Sequence, residues 1–112
     1  MPLEVHSVPR WDWSPLPREG CRGVEGRVLL SLSRDSYVSM LRFGPDATID
    51  EHADSEHVHE VICLEGSGFT SLGAEKAPIR AGERVTWPPG VVHGLWTEGE
   101  AMTTLMVARP RD

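Results

Sequence analysis

Eleven glycines and nine prolines cut this chain of 112 residues into short pieces. Proline ends an α-helix and glycine weakens its interior, so few of the pieces could hold one. The runs between them are apolar, short and almost free of 3.6-residue periodicity. Residues 25–32, 36–43, 58–64, 68–72, 78–80, 84–87, 91–96 and 102–108 read as strands. Several carry the β-branched and aromatic residues that suit a pleated surface, as in Ser36-Tyr37-Val38-Ser39-Met40-Leu41-Arg42-Phe43. Close spacing with Gly/Pro turns predicts an all-β sandwich or barrel. A chain of this length supports one domain with one core.

Charge narrows the range of partners. Seventeen acids against eleven bases leave a net charge of −6. Nucleic acid is not an expected partner, because binding it rests on neutralising phosphates. No run approaches the roughly 18 apolar residues of a membrane helix, so no membrane partner is expected either. The N-terminus has no basic start followed by an apolar stretch, which argues against a signal peptide. Cys21 and Cys63 are too few and too far apart for a disulfide framework, and a reduced, cytoplasmic setting is expected. The first two dozen residues differ from the rest. Pro9, Pro15 and Pro17 break them up, and Trp11 and Trp13 flank Asp12. This segment, about 1–24, reads equally as an edge strand of the chain's own sheet or as an arm packing on a partner subunit.

Four histidines carry the chemical signal. His52, His57 and His59 lie within eight residues, just before a predicted strand. His57 and His59 have i, i+2 spacing, which in a strand points both to one face. His93 is distant in sequence and follows the tight turn Pro88-Pro89-Gly90. A small barrel can bring such loops together, and converging neutral imidazoles bind Fe, Mn, Ni, Cu or Zn. The competing reading is a solvated acidic face, since Asp50, Glu51, Asp54, Glu56 and Glu60 stand among these histidines.

The spacing resembles that of the cupins, small double-stranded β-helix barrels. Their second motif, G-x5-P-x-G-x2-H-x3-N, is met here by Gly82, Pro88, Gly90 and His93, with Thr97 in place of the final Asn. Their first motif, G-x5-H-x-H-x3–4-E-x6-G, is met more loosely. Asp46 takes the place of the leading glycine, His52 stands at the first ligand, Asp54 where the second His belongs, and His59 where the Glu belongs. The tail ends at Gly66 in a run resembling the family's VLEG, and fifteen residues separate Gly66 from Gly82. The two motifs occupy about 44–66 and 82–97, inside a resemblance covering roughly 36–108.

The resemblance implies a cupin (jelly-roll) barrel of two facing antiparallel sheets and a site for a divalent transition metal, Fe, Mn, Ni, Cu or Zn. Two ligand sets are open: His52, His57, His59 and His93, or His52, Asp54, His59 and His93; a decayed site without metal is the third possibility. It also implies a small-molecule ligand or substrate and a homodimer, with the segment around Trp11 and Trp13 as the exchanged arm. The chemistry expected is that of a dioxygenase or of an isomerase or lyase, on a small oxygen-chelating molecule. The alternative is a cupin that binds or senses a small ligand without turnover. Among the other residues, Cys63 is expected inside the barrel as a small hydrophobe and Glu60 on the outside. Trp87 and Trp96 are the aromatic residues expected nearest the rim of the site.

Overall fold

A computed structural model describes residues 2–111, which form strands, turns and irregular segments but no helix. Met1, the first residue of the expected arm, lies outside the described residues. The strands are β1 (Ser14–Pro15), β2 (Cys21–Ser33), β3 (Ser36–His52), β4 (His57–Leu72), β5 (Glu75–Arg80), β6 (Arg84–Trp87), β7 (His93–Trp96) and β8 (Met102–Pro110). Every pairing is antiparallel.

Two strands are far longer than their sequence predicts, and they build the barrel. The first half of β3 pairs with β8, from Tyr37↔Ala108 to Phe43↔Met102. Its second half pairs with β7, ending at His52↔His93. β4 does the same: residues 57–66 pair with β8, and residues 67–72 pair with β5. Along its length β4 also receives β6 and then β7. Each long strand thus crosses from one sheet to the facing one, and the barrel closes around them.

The break between the predicted strands 58–64 and 68–72 is a bulge inside β4, where the register shifts between Cys63 and Glu65. A bulge inserts an extra residue and bends the strand without ending it. Gly66 makes this one possible. Its φ is +76°, and a Cβ there would lie 2.0 Å from the carbonyl oxygen of Ala101. Likewise the expected lead-in at 44–51 is strand, bent at Asp46 (φ 60°), a left-handed conformation that Asp tolerates better than most residues. Thr97, standing where the motif has Asn, closes this bend. Its hydroxyl donates to the Gly44 carbonyl at 2.6 Å and accepts from the Ala47 amide at 2.9 Å.

Period-two alternation fills the core. Leu41, Phe43, Ala47 and Ile49 of β3 face Val61 and Cys63 of β4, with Trp87, Leu95 and Met102. Fully burying a side chain of the size of Phe43 or Leu95 contributes ~1.5–3 kcal/mol. Cys63 is fully buried, as expected of a small hydrophobe. Pro78 is tolerated in β5 because that strand pairs only with β4. The N-terminal segment forms an edge strand only at Ser14–Pro15, paired with β2. Residues 2–13 form no strand, and Leu3, Val5, Val8 and Trp11 are exposed. No helix of the described residues is long and apolar enough to cross a membrane.

Candidate metal centre

One end of the barrel opens into a cavity of about 400 Å³, lined by His52, Asp54, His59 and His93 on one side and by Leu16, Val28, Leu41, Ile49, Trp87 and Met106 on others. Strand pairing brings the histidines together. His52 ends β3 directly opposite His93, the first residue of β7, and their ring centroids are 4.5 Å apart. His59, on β4, faces inward beside β6, 5.9 Å from the His93 ring. The loop before His93 is tied to the loop after His52, because the Gly90 amide donates to the Asp54 carbonyl at 2.9 Å.

The hydrogen bonds assign the tautomers. His93 donates from Nδ1 to the Val91 carbonyl at 3.0 Å, and its Nε2 is buried without a partner. Its ring lies flat on the indole of Trp87, centroids 4.1 Å apart, and that indole is fixed by donating to Thr70 Oγ1. His52 donates from Nδ1 to the Asp50 carbonyl at 3.0 Å, so its Nε2 carries a lone pair, which accepts from the Arg18 guanidinium. Such second-atom hydrogen bonds orient imidazoles for metal ligation. His59 Nδ1 is also buried and unpartnered, and its Nε2 lies 3.9 Å from Asp54 Oδ2.

His57 is placed differently. It does not line the cavity. Its Nδ1 donates to Asp54 Oδ2 at 2.9 Å, and its Nε2 faces Asp35 at 3.5 Å. Asp54 is gripped from below, its Oδ1 accepting from the amides of Glu56 (2.8 Å) and His57 (3.2 Å). Asp54, His57 and His59 form a compact group whose potential ligand atoms all lie within 4.8 Å of one another.

The electrostatics favour neutral rings at His59 and His93 beside one charged carboxylate. Burial, reinforced by His52, lowers the pKa of His93 to about 4, and burial also lowers that of His59. Burial opposes ionisation of Asp54. The Glu56 amide, the His57 hydrogen bond and electrostatic attraction to the His57 and His59 rings together outweigh it and hold its carboxyl below the usual range. Tyr37 stands edge-on to His57, its phenol pushed up by burial and then by Asp54. A divalent ion fits this donor set: buried imidazole nitrogens without partners, tautomers already fixed, and a carboxylate that stays charged.

Three further groups belong to this site, and nothing in the sequence points to Arg18 or Asp35. Arg18 arrives from the segment before β2, while Asp35 and Tyr37 come from the β2–β3 hairpin; all three lie outside the motifs. Of the two tryptophans expected at the rim, Trp87 lines the cavity but is 1% exposed, behind His93. Trp96 points away and stacks on Phe69 at 5.9 Å, because His93 and Leu95 take the inner face of β7 and alternation sends Trp96 outward. Glu60 faces out as expected, accepting from Thr86 beside Arg84 and Arg109.

The cupin domain family model matches residues 39–108. This chain is a cupin. Among curated proteins, none matches its sequence significantly. Solved structures with the same fold include the polyketide cyclase RemF from Streptomyces resistomycificus, with a TM-score of 0.82 and 21% identity over 97% of this chain and 81% of that one. A predicted oxalate decarboxylase from Thermotoga maritima has a TM-score of 0.79 and 20% identity over 89% and 91% of the two chains. A cupin-2 domain from Rhodospirillum rubrum is 25% identical, with a TM-score of 0.76 over 97% and 76%. The cupin match begins at residue 39, so β1, β2 and the segment containing Arg18 precede it.

Proposed function

We propose that this cupin holds one divalent transition ion (Fe, Mn, Ni, Cu or Zn) and acts on a small oxygen-chelating organic molecule, in a reaction of the dioxygenase or the isomerase/lyase type. The observation that carries the reading is the pair of buried, unpartnered nitrogens His59 Nδ1 and His93 Nε2 on rings that line one cavity with His52; His57 Nε2 is also buried and unpartnered, but His57 lies outside that lining. His52, His59 and His93 would be ligands. Asp54 is the favoured fourth because it lines the cavity, with His57 positioning its carboxylate; the all-histidine set with His57 is the second reading.

When bound, the ion supplies Lewis-acid chemistry and, if redox-active, electron transfer. The chain's own contribution is separable from it. The Val91 and Asp50 carbonyls hold two imidazoles in their ligating tautomer. Leu41, Ile49, Trp87 and Met106 give the inner cavity an apolar wall. Tyr37, neutral near pH 7, can hold or give a proton at its Oη beside Asp54. Non-catalytic ligand binding remains the alternative, and a homodimer formed through the N-terminal segment belongs to the same proposal. Exposed Leu3, Val5, Val8 and Trp11 support the dimer. Sedimentation of the chain without residues 1–18 tests it: a dimer that survives the deletion counts against that segment.

Metal content is the direct test of the site. Protein purified without chelator should carry one ion per chain, and His93→Ala should lose it while remaining folded. Wild type that stays metal-free after incubation with all five ions would overturn the metal reading and leave a metal-free binding module. Turnover of a chelating substrate separates an enzyme from a binding protein.

A further inference from the structure

Arg18 stands at the cavity wall with its guanidinium on His52 Nε2. A guanidinium has five N–H donors and stays charged at any ordinary pH. One donor is spent on the imidazole. Among the described residues, no carboxylate lies in ion-pair distance of Arg18. Asp54, the carboxylate among the histidines, is already committed to the amides of Glu56 and His57 and to the His57 ring. Arg27 also lines the cavity, but its guanidinium lies 5.5 Å over the Trp13 ring. Asp12 lines the cavity as well, from the exposed N-terminal segment. Arg18 is therefore a cation lacking a counter-charge, set between polar imidazoles and a wall that includes Trp11, Leu16 and Val28.

We propose that Arg18 is the anion-recognising residue of this cavity, and that its ligand class is a small organic carboxylate, or a similar oxyanion, with an apolar body. The inference deepens the proposed function, since it names the substrate class of the same site. The fork of the guanidinium matches a carboxylate in a way that a neutral group cannot. An ion and Arg18 would compete for the one lone pair of His52 Nε2. An anionic ligand resolves that competition, giving the displaced guanidinium a new partner beside the ion.

The test uses 2-naphthoate and its neutral analogue 2-naphthalenemethanol. Binding is followed by tryptophan fluorescence, since Trp11 and Trp87 line the cavity, on metal-free and zinc-incubated full-length protein. Wild type should prefer the carboxylate by about tenfold or more, the scale of a charged hydrogen bond. Arg18→Gln should lose that preference while binding the alcohol as before, and Arg18→Lys should keep part of it. Unchanged near-UV circular dichroism would show the variants folded. A preference that survives Arg18→Gln overturns the proposal, as does wild type that binds both compounds equally or neither. Zinc content is measured in the same samples. Loss of the preference in a protein that takes up neither zinc nor any of the other four ions would leave Arg18 standing and defeat the metal reading alone.

Discussion

The barrel and the N-terminal segment meet at one cavity but contribute different things to it. The barrel supplies imidazoles whose orientation is set by strand pairing, backbone carbonyls and a stacked indole. The N-terminal segment supplies Arg18, Leu16 and Trp11, held by few backbone bonds: Leu16 to Val24, Cys21 to Arg18, Asp50 to Gly20, and the short β1 ladder. Its Trp13 lies under Arg42 at 4.2 Å, a cation–π contact worth about 0.5–1 kcal/mol at an exposed site. On the proposals above, stability and metal geometry belong to the barrel, and ligand preference to a segment outside the family match.

If the contrast is sound, the largest loss comes from the bulge in β4. Gly66→Val forces a side chain into the Ala101 carbonyl at a positive φ, and should destabilise the fold by about 3 kcal/mol or more, measured by urea unfolding. A smaller barrel effect is expected at the β3 bend. Thr97→Val removes the hydroxyl joining Gly44 to Ala47 and should cost about 1–3 kcal/mol; a neutral result would remove Thr97 as the stand-in for the motif's Asn.

Metal-free protein should also weaken in acid. His93 takes its proton only near pH 4 in the fold, against about 6.5 in the unfolded chain. The unfolded chain therefore binds more protons below pH 6.5. The stability present above that value is lost as the pH falls through the window toward 4, and His59 acts in the same direction. Unfolding free energies between pH 7 and 4.5, with chelator present, should fall more steeply for wild type than for His93→Gln. Equal slopes would place the acid sensitivity elsewhere. Smallest of all should be deletion of residues 1–10, below about 1 kcal/mol, since Leu3 and Val5 bury almost nothing. A larger loss would mean that the segment is part of the barrel's stability after all.

Local information was sufficient for the parts of this protein that repeat with a short period. Alternation and Gly/Pro spacing determine the all-β class. The second motif identifies the cupin barrel, and the first aligns His52 and His59 despite its substitutions. Spacing on one strand also orients Cys63 inward and Glu60 outward. Only the tertiary structure decided the rest, because it depends on contacts between segments distant in sequence. The continuity of β3 and β4 through Asp46 and Gly66 rests on partners in β7 and β8. The separation of Asp54, which lines the cavity, from His57, which grips it, arises in a loop with no period to read. Trp96 faces away from the site because the register of β7 is set by its neighbours. Arg18 meets His52 across 34 residues through a fold of the chain that no local pattern encodes.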